Sequence, residues 1–142
     1  MRLKNLKLIF VTLLLLLIPF IFSGCDEKKV PGIVFNSEPI TKDNLLHATR
    51  SLEAGKRVYY LFYSPKKIKA EFIRVQLVKT GDNIAKGGYK IVWSKDCRLM
   101  QQNMFYYYDN FTLYQAGRYV MQVFDVNNLS VPLAWNYFFI HE

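Results

Sequence analysis

The chain has 142 residues, 51% of them apolar and 16% aromatic, with a formal charge of +8 from 19 Lys+Arg against 11 Asp+Glu. A length of this order supports one domain with its own core and excludes two. The basic surplus suits anionic polymers or lipid surfaces, but its residues are scattered, and no nucleic-acid partner is expected. The first feature in chain order is Met1–Phe22. Arg2, Lys4 and Lys7 precede an almost unbroken apolar run, Leu8 to Phe22, interrupted by Thr12 and Pro19, with no acidic residue before Asp26. A basic start followed by an apolar core of this length is an export signal. The competing reading, a permanent transmembrane helix, needs about 20 apolar residues. This run is shorter and breaks into Ser23-Gly24.

The stretch "IFSGCDEKK" (21–29) discriminates further. Ordinary signal cleavage before Cys25 wants small residues at −1 and −3; Gly24 fits, but Phe22 is too bulky. "FSGC" instead resembles the bacterial lipobox, with Phe22 in place of the usual Leu. The resemblance implies that residues 1–24 are removed, that Cys25 carries a diacylglycerol, and that its new amino group is often acylated. Two or more acyl chains anchor stably where one binds marginally. It also implies a lipid-anchored protein of the bacterial cell envelope, with inner or outer membrane and leaflet left open. Residues 25–31 then form a short tether, with a reach of roughly 23 Å at 3.3 Å per residue. Lys28 and Lys29 either approach anionic headgroups or keep the tether soluble. Removal of residues 1–24 takes away three basic side chains and no acid, leaving 16 Lys+Arg against 11 Asp+Glu.

Residues 32–142 are patterned as strands. "RVYYLFYS" (57–64) is aromatic and β-branched and stops at Pro65; in "EFIRVQLVK", Ile73, Val75 and Leu77 share one face. "TGDN" (80–83) and Gly87-Gly88 are turn chemistry. "YKIVWSK" is expected to place Tyr89, Ile91 and Trp93 on one face and Lys90 and Ser94 on the other. "MFYYYD" (104–109) and Tyr119–Phe124 follow, and Asn127-Asn128 suits a hairpin because Asn tolerates positive φ. The last strand groups Leu133, Trp135, Tyr137 and Phe139. Helical spacing occurs in "KDNLLHATRSLEAGK" (42–56), where Leu45, Leu46, Thr49 and Leu52 recur, Asp43 is placed to cap and Gly55 to terminate. Residues 43–54 are a short helix or, alternatively, a loop and strand.

Short strands every 8–15 residues predict an all-β chain, an antiparallel sandwich of about seven strands. "AGRYVMQVFD" resembles the penultimate strand of immunoglobulin-like domains, where a Gly turn precedes a Tyr that caps the corner. The matching residues are Gly117 and Tyr119. Met121 stands where antibody domains place a cysteine, so the resemblance implies a disulfide-free immunoglobulin-like or fibronectin-like β-sandwich.

Local catalytic signals are absent. There is no phosphate loop, no GxSxG elbow and no zinc spacing, and His47 and His141 lie far apart. With Cys25 lipidated, Cys97 has no intramolecular disulfide partner; beside Arg98 it is either a reactive thiol or a part-buried small side chain. Lys66, Lys67 and Lys69 read as a solvated turn or a binding patch. No cofactor beyond the covalent lipid on Cys25 is expected, and no metal. In "MFYYYDNFTLY", alternation separates Phe105 and Tyr107 from Tyr106 and Tyr108, so one pair must leave the core. Exposed rings stack on sugars or form protein hot spots; covered ones leave only hydroxyls in water. Tyr106, Tyr108 and the loop around Asn110 are therefore the candidate contacts. The expected function is a non-enzymatic binding module for an envelope protein or glycan. The alternatives are an assembly subunit that pairs sheet edges and, behind it, an enzyme.

Overall fold

The computed structural model describes residues 30–81, 88–101 and 104–142. The export signal 1–24, Cys25 and most of the tether lie outside the described residues, as does most of the turn expected at 80–88. Among the described residues no helix is long and apolar enough to cross a membrane. Eight strands among the described residues form two sheets: β1 (Gly32–Asn36), β2 (Ser51–Glu53), β3 (Arg57–Tyr63), β4 (Phe72–Thr80), β5 (Tyr89–Arg98), β6 (Tyr106–Thr112), β7 (Gly117–Asp125) and β8 (Ala134–His141). The smaller sheet has the order β1-β3-β6 and the larger β2-β8-β7-β4-β5. All pairs are antiparallel except β2 with β8. The chain is thus a β-sandwich, and the grouping of its strands is that of immunoglobulin-like domains, one sheet holding the first strand with its partners and the other the penultimate strand.

Alternation is cleanest in the centre. Ile73, Val75 and Leu77 of β4 and Tyr119, Met121 and Val123 of β7 are all essentially buried, and they face Tyr60 and Phe62 from β3. The corner forms as the resemblance implied: Gly117 opens β7 at φ +143°, which side chains rarely adopt, and the Tyr119 hydroxyl donates to the Gln115 carbonyl at 2.8 Å. Aromatic rings run through the core from Phe35 to Phe138 (4.6 Å between centroids), then to Phe111 (5.7 Å) and Tyr60 (5.9 Å). Met121 occupies its cysteine-equivalent position with no exposure.

Three expectations are revised, and for residues 43–54 the loop-and-strand reading holds in place of the helix: a single 3-10 turn covers Leu45–His47, and Ser51–Glu53 is strand β2. Only Leu52 of the helically spaced residues is buried, and Leu46 is 91% exposed. The unpaired edge of β8 supplies a ladder for this segment, with Phe139 N–H donating to the Arg50 carbonyl and Ala54 N–H to His141. In β5, Leu77 faces Trp93 while Val78 faces Ile91, so Val92 is an extra residue. This bulge reverses the alternation. Trp93 turns inward against Phe111, and Tyr89, Ile91 and Ser94 share the outer face. In β8 the core side is Ala134, Phe138 and Ile140, so Trp135 and Phe139 point outward. The hairpin at 125–128 uses no positive φ at Asn; Asp125 builds it, its carboxylate accepting from Asn127 N–H at 2.8 Å and its carbonyl from Asn128 N–H at 2.9 Å.

Candidate functional site

Strand β6 lies at the edge of the smaller sheet, and its residues divide as alternation requires. Tyr107, Asp109 and Phe111 turn toward the larger sheet; Tyr106, Tyr108 and Asn110 stand on the outer face. Their registered partners on β3 are Tyr63, Leu61 and Tyr59. Tyr106 and Tyr108 stack at 6.3 Å with 20° between their rings, and Tyr108 is 66% exposed.

The segment that follows β1 runs over part of this face. It is held by two asparagines. The Asn44 side chain donates to the Pro39 carbonyl (2.9 Å) and accepts from Thr41 N–H (2.8 Å). Buried Asn36 donates to the Asn44 carbonyl at 3.5 Å and accepts from Glu38 N–H. A segment tied down in this way makes a fixed wall. Between it and the sheet lies an open groove of about 520 Å³, floored by Leu61, Tyr63, Tyr106 and Tyr108 and walled by Ile40 and Leu45. Lys42 and Phe105 complete its rim. Asn110 lies beyond, in a smaller depression of about 190 Å³ shared with Pro39, Ile40 and Tyr59. The three expected contact residues thus share one face, with the two tyrosines in the groove and Asn110 beside it, though Asn110 lies within β6, paired with Tyr59, and not in the expected loop. Sequence reasoning missed Ile40, Leu45, Leu61 and Tyr63. Leu45 fits helical spacing as well as a loop, and no local pattern announces a wall built from a segment 60 residues away along the chain.

The inner side of β6 forms a polar cluster. The Asp109 carboxylate accepts from Lys95 Nζ at 2.9 Å and from the Tyr107 hydroxyl at 3.1 Å, joining the edge strands of the two sheets. Burial alone would raise the Asp109 pKa, but Lys95, the Asn110 N–H and Tyr107 outweigh it and hold the carboxyl below its usual range. Cys97 is 4% exposed, and burial pushes its thiol pKa up against the weaker pull of Tyr107 and Lys95. A thiol kept protonated is a poor nucleophile, so the buried-side-chain reading of Cys97 fits. Burial likewise raises the Tyr107 and Tyr60 hydroxyls. No group of His, Cys, Asp or Glu suited to a metal occurs among the described residues.

No known protein-family profile matches the chain, and no curated protein matches it. Among solved structures it is similar to a beta-glucosidase from Kluyveromyces marxianus in complex with glucose, at 10% identity and a TM-score of 0.38. That match covers 81% of this chain and 14% of the other. A selenomethionine form of beta-glucosidase from the same organism matches at 13% identity and a TM-score of 0.33, over 61% and 12% of the two chains. The chain therefore spans about one seventh of the length of the first of these. A likeness this loose carries no statement about activity.

Proposed function

We propose that this chain is a membrane-anchored lipoprotein of the bacterial envelope, held through lipid on Cys25, whose sandwich binds a protein or glycan without catalysing a reaction. The groove on the outer face of the smaller sheet carries the reading. Core packing already occupies Tyr107 and Phe111, yet Tyr106 and Tyr108 remain stacked and exposed opposite a pinned wall. Rigid aromatic rings with hydroxyls at their tips offer large contact area at low entropic cost. The adjacent Lys42 adds a charge suited to acidic side chains or acidic sugars. The "FSGC" sequence supports the anchor.

Two measurements test the reading separately. Incorporation of labelled fatty acid is expected in the wild type and absent in Cys25→Ser; equal labelling refutes the anchor. Cross-linking from a photoreactive residue replacing Tyr108 is expected to yield a discrete adduct in intact envelopes. Replacing Leu61 and Tyr106 with Ala should remove that adduct, whereas an unchanged adduct refutes the groove as the binding site.

A further inference from the structure

The tether enters β1 at one end of the sandwich, and three connections gather there. Gly32 pairs with Tyr63 at the end of β3, and Tyr63 with Tyr106 at the start of β6. Ser64 N–H donates to the Phe105 carbonyl, Ile68 N–H to Met104, Leu99 N–H to Glu71 and Val126 N–H to Phe72. These bonds knit the connections β3–β4 and β5–β6 to each other and bring β7–β8 alongside. The result is a continuous base around the point where the chain leaves for Cys25.

The chemistry of this base differs from that of the opposite end. Lys66, Lys67 and Lys69 are exposed, and their ammonium groups have no carboxylate partner among the described residues. Of the acids nearby, Glu71 is paired with Arg98 at 2.8 Å and Asp125 is engaged by its own turn. Lys67, Lys69 and Arg98 border an open depression of about 880 Å³. Met100 (64% exposed) borders the same depression, and the same end of the sandwich exposes Val30 (65%) and Val131 (66%). The opposite end mixes exposed acids such as Glu38, Asp43, Glu53 and Glu142 among its cations. Basic residues together with exposed apolar ones are the composition of surfaces that settle into an anionic lipid interface.

We infer that this base docks on the bilayer through anionic headgroups, so that the sandwich stands on the membrane in one orientation. The inference rests on the anchor proposed above. Only four residues lie between Cys25 and Val30, a reach of about 17 Å over the five Cα–Cα steps, so a lipid on Cys25 delivers this end and no other to the surface. Orientation then follows from charge: phosphate groups meet the lysines, and the apolar side chains enter the headgroup layer.

The test uses the full protein purified from membranes and added to vesicles of phosphatidylcholine, with or without phosphatidylglycerol. A membrane-impermeant amine reagent reads each lysine by mass spectrometry. Labelling of Lys66, Lys67 and Lys69 is expected to slow roughly fivefold when phosphatidylglycerol is present, while Lys42 and Lys56 stay unchanged. Protein that floats with the vesicles but labels alike in both lipids overturns the docking and leaves the anchor standing. Equal protection in phosphatidylcholine alone, or protection in detergent that rises with protein concentration, overturns it in favour of uncharged contact or a second copy. Failure to float, with no fatty acid on Cys25, overturns anchor and docking together.

Discussion

Along the β1–β8 side the two sheets meet through Phe35 and Phe138, 4.6 Å apart, and through one amide that donates from Asn136 to the Ile33 carbonyl at 2.7 Å. Along the β5–β6 side they meet through Lys95, Asp109, Tyr107 and Cys97, with Trp93 against Phe111. The first seam is closed by rings and a single directed bond; the second admits charge, with Lys95 half exposed and Asp109 27% exposed. A sandwich without a disulfide must close both sides, and apolar contact there is worth more than a partly hydrated ion pair. The aromatic chain from Phe35 to Tyr60 ties the two seams into one core. Stability should therefore concentrate on the β8 side, while sensitivity to pH should concentrate on the β6 side.

The contrast can be broken most directly at Phe138. Phe138→Ala removes the ring shared by Phe35, Phe111 and Tyr119 and should cost about 3–5 kcal/mol in denaturant unfolding. Next, Asn136→Ala leaves the Ile33 carbonyl without its donor and should cost about 1–2 kcal/mol, read the same way. At the other seam Tyr60→Phe should act in the opposite direction. Its hydroxyl is fully buried beside Tyr107 and makes no well-formed hydrogen bond among the described residues, so removing it should stabilise by up to about 1 kcal/mol, and a loss of stability would show that Tyr107 partners it. The smallest effect belongs to Asp109→Asn, below about 1 kcal/mol at neutral pH. Its signature is the pH dependence. The folded carboxyl holds its proton less readily than the unfolded one, so the contribution is complete above about pH 4 and is lost as pH falls below it. Asp109→Asn should flatten that acid limb in thermal melts.

Much of the architecture could be read from the chain because local and global preferences agree there. Gly117 and Tyr119 announce the corner, and β4 and β7 alternate cleanly because both are central strands with one buried face. Agreement fails at the edges. In β8 both faces are apolar, so alternation groups Trp135, Tyr137 and Phe139 without saying that the other set is the core. In the 43–54 segment, leucines at helical spacing compete with a free strand edge, and the ladder to β8 wins. No glycine marks the bulge at Val92, so Trp93 is assigned to the wrong face. At the candidate site, the split between Tyr107 and Tyr108 follows from alternation alone, but the wall of the groove is a long-range contact between Ile40 and β6 and leaves no trace in either segment.

The bulge in β5 has a consequence for the free edge of the larger sheet. Val92 is surplus: on either side of it the pairing with β4 is complete, Trp93 to Leu77 and Ile91 to Val78. Deleting it would leave every other partner in place and would straighten the strand. A regular outer edge is a template for another chain, whereas a kinked one carrying Lys90 and Lys95 is a poor one. The single extra residue therefore separates folding from self-association. It works against pairing along the exposed strand, and its deletion should raise the tendency to self-associate without unfolding the sandwich.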